Sequence, residues 1–155
     1  MKVSLESIKD LREKTGAAIG DVRSALEAAG GDEAKAKDIL RQKGLEAAAK
    51  RKDRATSAGR VEAYVHHDGR VGALIEINCE TDFVARTDEF QRFCREVGMQ
   101  VASMAPESVE ALLQQPFIKD SKQTIGQLLT ALIAKTGENI TIRRVNRFGL
   151  GEGSS

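Results

Sequence analysis

The sequence predicts an α+β protein in which an N-terminal three-helix module is followed by a three-stranded antiparallel sheet packed with helices. Changes in apolar period carry this prediction. Up to residue 44 apolar residues recur at three-and-four spacing, from Arg60 to Asn78 they alternate, and from Phe90 the helical spacing returns. Helices gathered on one side of hairpin-connected strands are the mark of an α+β architecture.

In the first part, Leu5, Ile8 and Leu11 form one stripe, Ile19, Val22 and Leu26 a second, and Ala36, Ile39 and Leu40 a third. Thr15-Gly16 and Gly30-Gly31 separate the three helices, Asp32 is placed to cap the last, and Gly44 marks its end. A module this small has little core of its own, which predicts mobility relative to the rest of the chain. Residues 45–60, with Ala47-Ala48-Ala49 and Lys50-Arg51-Lys52-Asp53-Arg54, read as a helical or partly ordered linker.

The alternating stretch places Val61, Ala63 and Val65 on one strand and Val71, Ala73, Ile75 and Ile77 on the next. Asp68-Gly69 between them predicts a two-residue type I′ hairpin turn, because both turn positions need positive φ. Phe90, Phe93, Val97, Val101 and Met104 then form the inward stripe of a helix that Pro106 ends. Ser108 to Gln115 suggests a short helix, and Ile125, Leu128, Leu129, Leu132 and Ile133 another that stops at Gly137. Glu138 to Val145, with Ile140 and Ile142 on one face, is the third strand, and the Gly149, Gly151, Gly153 tail is expected to be disordered. The second sheet face shows Leu74, with Tyr64 on the neighbouring strand. Such a face needs a cover, which points to dimerisation through the sheets.

Composition narrows the function classes. The 155 residues are 41% hydrophobic and 30% charged, an ordinary globular balance, and the formal charge of +1 gives no global reason to expect nucleic acid or membrane as partner. The charge is uneven, however. Residues 35–60 carry nine basic and three acidic side chains, whereas residues 61–155 carry ten and thirteen. No apolar run approaches the roughly 20 residues of a membrane-spanning helix. The polar segment after Met1-Lys2-Val3-Ser4 lacks the apolar core of a secretion signal, so a cytoplasmic protein with reduced Cys79 and Cys94 is expected.

Chemistry is hard to find. No nucleophile–base pair, carboxylate pair or phosphate-binding glycine loop has the required spacing, and neither an enzyme nor a bound cofactor or metal is expected. His66 and His67 are adjacent on a predicted strand, so they should point to opposite faces. Cys79 and Cys94, without a Cys-x-x-Cys pattern, read as buried inert thiols. Lys50 to Arg60 could meet RNA phosphates, but it has no aromatic residue for base stacking and reads better as a solvated linker. An RNA- or ribosome-binding module using residues 41–60, or an adaptor acting through the helical module, are the competing classes.

What remains is Asn78-Cys79-Glu80-Thr81-Asp82-Phe83-Val84-Ala85-Arg86. Thr81 suits a helix N-cap and Asp82 the positive first turn. Phe83 and Val84 can turn inward as core residues. Alternatively, since the stripe from Phe90 already supplies an inward face, the aromatic at this strand-to-helix corner can stand outward as an anchor for a partner's pocket.

These residues resemble the Thr-Asp-Phe-Val signature of the elongation factor Ts family, exchange factors for the GTPase elongation factor Tu. Leu11-Arg12-Glu13-Lys14-Thr15-Gly16-Ala17 is similar to the end of the family's first helix, and Gly137-Glu138-Asn139-Ile140-Thr141-Ile142-Arg143-Arg144 to its late strand. The three segments occur in the family's order across nearly the whole chain. The resemblance implies a UBA-like three-helix partner-binding module (1–48), a basic linker (49–59), an α+β core for dimerisation and exchange (60–148) and a flexible tail (149–155). It also implies the short form, with one core subdomain, in which pairing of two chains replaces a second half. The expected partner is elongation factor Tu, GDP-bound and nucleotide-free, with no direct contact to nucleic acid. Asp82 and Phe83 match the pair that enters the partner's GTPase domain, framed by Thr81 and Val84, and Arg12 matches a contact on the first helix. Thr136-Gly137 stands where the family commonly has Ile-Gly, and Ile19-Gly20 where a Met-Met pair is common, both partner contacts whose side chains here differ.

Overall fold

A computed structural model describes residues Lys2–Gly153. The chain divides into two compact units: one runs to Lys52 and includes Thr130–Gly137, and the other takes Asp53–Leu129 and the chain from Glu138 onward.

In the first unit, α1 (Leu5–Thr15) is capped by Ser4, whose side chain accepts from the Ser7 amide, and ends at Gly16 with φ 67°. Helix α2 spans Ile19–Ala28 and α3 spans Glu33–Arg51, with the Asp32 side chain accepting from the Lys35 amide. Ile8, Leu11, Val22, Ala25, Leu26 and Ala36 form the core, with Ile39 and Leu40 partly buried against it. Two stripe residues face the other way: Leu5 is 84% exposed and Ile19 60%. Each opens its helix, where the first turn projects past the core. Val3, at the N′ position, packs instead on the cluster that holds Ile8 at N4, the pattern of a hydrophobic staple. Gly44 does not end α3, which continues seven residues to Arg51, so half of the expected linker is helix. A Cβ at Gly44 would lie 3.7 Å from Thr130 Cγ2 and 3.8 Å from Ala134 Cβ, which makes it a point of close packing within this unit.

The second unit holds the expected three-stranded antiparallel sheet, ordered β1 (Ala58–Val65), β2 (Val71–Cys79), β5 (Ile140–Gly149). Helix α5 (Asp88–Met104) packs against β1 and β2. Ala73, Ile75, Ile77 and Cys79 point inward with Ile140 and Ile142 and meet Phe90, Phe93, Cys94, Val97 and Val101 in a single buried layer. Met104, the last residue of the predicted stripe, is exposed at the helix end. The helix stops at Ala105, the one described non-glycine residue with positive φ (46°).

Several local expectations change. The hairpin does not use a type I′ turn: only Gly69 takes positive φ (71°), and its amide donates to His66 O at 2.8 Å, so the turn spans His66–Gly69 with glycine in fourth position. The strand has ended by then and its alternation no longer applies. The rings of His66 and His67 therefore lie together, centroids 4.1 Å apart, rather than on opposite faces. Tyr64 pairs with Ala73 and faces α5, where a Cβ at Gly98 would come within 3.1 Å of Tyr64 Cβ; it does not share the Leu74 face. Strand β5 starts two residues later and ends four residues later than predicted. Gly149 pairs with Val71 and the Leu150 amide donates to Arg70 O at 2.7 Å, so the start of the tail is tied to the hairpin; Ser154 and Ser155 lie outside the described residues. A bulge between Glu76 and Ile77 leaves Arg143 as the extra residue on β5. The short helix α6 (Val109–Gln114) and α7 (Ile125–Thr136) are as read, but the ribbon between them, β3 (Pro116–Phe117) with β4 (Asp120–Thr124), has no signal in the apolar pattern.

Candidate functional site

Between β2 and α5 the chain makes a four-residue helical turn, α4 (Asp82–Ala85). Too short to hold itself by its own backbone bonds, such a turn depends on its caps. Thr81 opens it with Oγ1 accepting from the Val84 amide at 3.3 Å. Thr87 closes it with Oγ1 donating to Val84 O at 2.8 Å and then caps α5 by accepting from the Phe90 amide at 3.3 Å. Val84 and Ala85 turn down into the core, while Asp82 and Phe83 face out, and the Phe83 ring is 82% exposed. Of the two inward candidates, Val84 is a core residue and Phe83 is not.

The corner is tied from behind. Glu138, just before β5, accepts from the Glu80 amide (3.1 Å), the Thr81 amide (3.0 Å) and Thr81 Oγ1 (2.7 Å). Glu80 answers by accepting from the Asn139 amide at 2.6 Å and pairing with Arg54 at 3.6 Å, and Asn139 Nδ2 donates to Arg54 O at 2.9 Å. Glu80 and Glu138 both lie inside segments singled out in the sequence, yet their mutual use was not visible there. It depends on the antiparallel pairing of Cys79 with Ile140, which brings the two ends together.

Below the corner, the Cys79 thiol donates to Thr81 O at 3.2 Å. Burial first, and then the Glu138 charge, push its pKa up to about 11, and burial pushes Cys94 up to about 12. Both are protonated at neutral pH and poor nucleophiles. Among the described residues no group of three or more His, Cys, Asp or Glu side chains is placed to hold a metal ion, and no helix is long and apolar enough to cross a membrane.

The other predicted contact residues belong to the first unit. Arg12 is exposed on α1 and makes no ion pair with a described residue. Ile19 and Gly20 are exposed at the start of α2, and a side chain added at Gly20 would meet nothing within 4 Å. Thr136 Oγ1 donates to Leu132 O at 2.9 Å in the last turn of α7, and Gly137 closes that helix with φ 73° in open space. Thr81, Asp82, Phe83 and Val84 are brought together in one turn, whereas these five sit on three separate helix ends.

A family model described as elongation factor TS matches residues 80–155. An elongation factor Ts of Carboxydothermus hydrogenoformans is 44% identical, over 97% of this chain and 90% of the relative. The Rubrobacter xylanophilus protein of the same name is 42% identical, over 97% of this chain and 100% of the relative, and that of Anaeromyxobacter sp. strain Fw109-5 is 41% identical, over 98% and 90%. The first of these matches spans 196 residues, more than the 155 of this chain, so that relative carries residues with no counterpart here. With identity at this level across nearly its whole length, the chain belongs to the elongation factor Ts family.

Proposed function

We propose that this chain is a cytoplasmic guanine-nucleotide exchange factor for elongation factor Tu, acting by binding and without catalytic chemistry of its own. The observation that carries the reading is the Phe83 ring, open to solvent on a turn whose next two residues are locked in the core. A large aromatic held out from a fixed support is the form of a binding anchor, and its cost in exposed apolar surface has no return within the chain itself. Asp82 beside it offers a carboxylate to rearrange hydrogen bonds on the partner.

On the GTPase, guanine nucleotide is held by phosphate-loop amides and by a Mg²⁺ ion that demands near-ideal octahedral geometry, so a small displacement of their surroundings weakens it. A factor whose Phe83 wedge docks best on the metal-free, nucleotide-free form must lower nucleotide affinity, and nucleotide must lower affinity for the factor in equal measure. Incoming GTP then expels the factor. Arg12 and Ile19-Gly20 add contacts through a UBA-like module that raises effective concentration at the partner, and Thr136-Gly137 adds a further one from the end of α7. Release of fluorescent GDP from elongation factor Tu, with and without this chain, tests the reading: acceleration is expected, and an unchanged rate contradicts it.

The partner also includes a second copy of this chain. The sheet face away from α5 exposes Val61, Val65, Leu74 and Phe148, and the register sets Val65, Gly72 and Phe148 in one row across the three strands. Apolar residues of this kind, interrupted by the Glu76–Arg144 ion pair, are suited to pairing with their own equivalents in a twofold dimer.

A further inference from the structure

We propose that Glu138 is a positioning residue for nucleotide exchange: its carboxylate sets the direction in which the Phe83 ring is presented. This rests on the exchange reading above. At 82% exposure the ring is hardly restrained by its own fold, so its direction is that of the α4 backbone, and α4 is a single turn that depends on Thr81.

Glu138 controls Thr81 in two ways. One oxygen, Oε1, takes the amides of both Glu80 and Thr81, at 3.1 and 3.0 Å, which fixes the chain direction as β2 ends. The other, Oε2, takes the Thr81 hydroxyl proton at 2.7 Å. A threonine hydroxyl has one proton and two lone pairs; once the proton is committed to Glu138, a lone pair is left for the Val84 amide, the bond that caps α4. Bonds to an ionised carboxylate are roughly twice as strong as neutral ones, so this is the firmest tie at the corner.

Glu138 is held in its turn. The next residue donates its amide to Glu80 Oε2 at 2.6 Å, and the Asn139 side chain, almost wholly buried, donates to Arg54 O at 2.9 Å. The two carboxylates thus brace each other's backbone across 57 or more residues of sequence, and the brace ends directly beneath the exposed ring. Without it the ring would sample several directions, and docking would carry the ordering cost that preorganisation removes.

The test is a double-mutant cycle on stimulated GDP release from elongation factor Tu. Glu138→Ala is expected to slow release about tenfold, as loss of three charge-assisted bonds to one group implies. In a Phe83→Ala background the same change should add less than about twofold, because residues acting through one element are not additive. Glu138→Gln, which keeps an acceptor for the two amides, should recover most of the rate, and amide hydrogen exchange at Glu80 and Thr81 should quicken in Glu138→Ala and not in Glu138→Gln. If Glu138→Ala does not fold, Glu138→Asp, too short to span the three donors, takes its place in both backgrounds. A Glu138 effect of equal size with and without the ring, or no effect at all, overturns the proposal while leaving the exchange reading intact. An unchanged rate in Phe83→Ala alone removes the wedge role of the ring and this proposal with it, whereas the exchange reading itself falls only if the wild-type chain fails to speed release.

Discussion

Phe83 and Phe90 are the same residue seven positions apart on either side of Thr87, and they have opposite fates: one ring is 82% exposed and the other wholly buried. Phe90 lies on α5, where the i, i+3, i+4 pattern continues through Phe93, Cys94 and Val97 and the whole stripe turns onto the sheet. Phe83 lies on a four-residue turn that spends Val84 and Ala85 on the core and has no periodicity to bury a third residue. The difference teaches that the fate of these two rings follows their place in the chain and not their hydrophobicity, which is the same. Left off the α5 stripe, the Phe83 ring is free to serve a partner.

That contrast can be broken most easily at the buried ring. Phe90→Ala should cost about 3–5 kcal/mol of stability, read as a large fall in the denaturant midpoint, since it opens a cavity in the layer between the sheet and α5. Phe83→Ala should move the midpoint by less than about 0.5 kcal/mol, as for other exposed positions. If the two changes cost the same, the contrast is wrong.

The outer face of the sheet sharpens the comparison, because its apolar residues are exposed like Phe83 but spread over three strands. Leu74→Glu should leave the fold intact and shift sedimentation from dimer to monomer at micromolar concentration, whereas Phe83→Ala should leave sedimentation unchanged. Monomeric wild-type chain under the same conditions would remove the dimer.

The smallest effect is expected at the thiols. Their pKa values stand above the ordinary 9.0, at about 11 for Cys79 and about 12 for Cys94, because burial disfavours the thiolate. The folded state therefore holds its protons more tightly than the unfolded one. The associated stabilisation is complete below pH 9 and is lost as pH rises through about 11 to 12. At pH 8 the folded chain should resist iodoacetamide that labels the denatured chain at once, and rapid labelling of the native protein would contradict the burial described above.

Periodicity made much of this legible. The sheet, α5, and the cores of α1 and α2 follow from spacing, and Thr81 as a cap follows from its side-chain chemistry. Where spacing failed, a local condition intervened. Leu5 and Ile19 fit a stripe on paper but open their helices; Gly44 looked like a stop but serves close packing; Asp68-Gly69 signalled a tighter turn than the His66–Gly69 hydrogen bond allows. The candidate site was half legible. Its exposed ring stood out as the aromatic no stripe needed, while the Glu80–Glu138 brace depends on a pairing of strands 61 residues apart at Cys79 and Ile140, which no local pattern encodes. Segment order supplied the family, and the residues that make its corner rigid came only with the fold.

The central claim is that the outward ring at Phe83 opens the GTPase. Fluorescent GDP preloaded on elongation factor Tu should leave at least about tenfold more slowly with Phe83→Ala than with the wild-type chain at equal concentration, since an anchoring aromatic contributes at least about 2 kcal/mol on truncation. Equal release rates from the two folded proteins would contradict it.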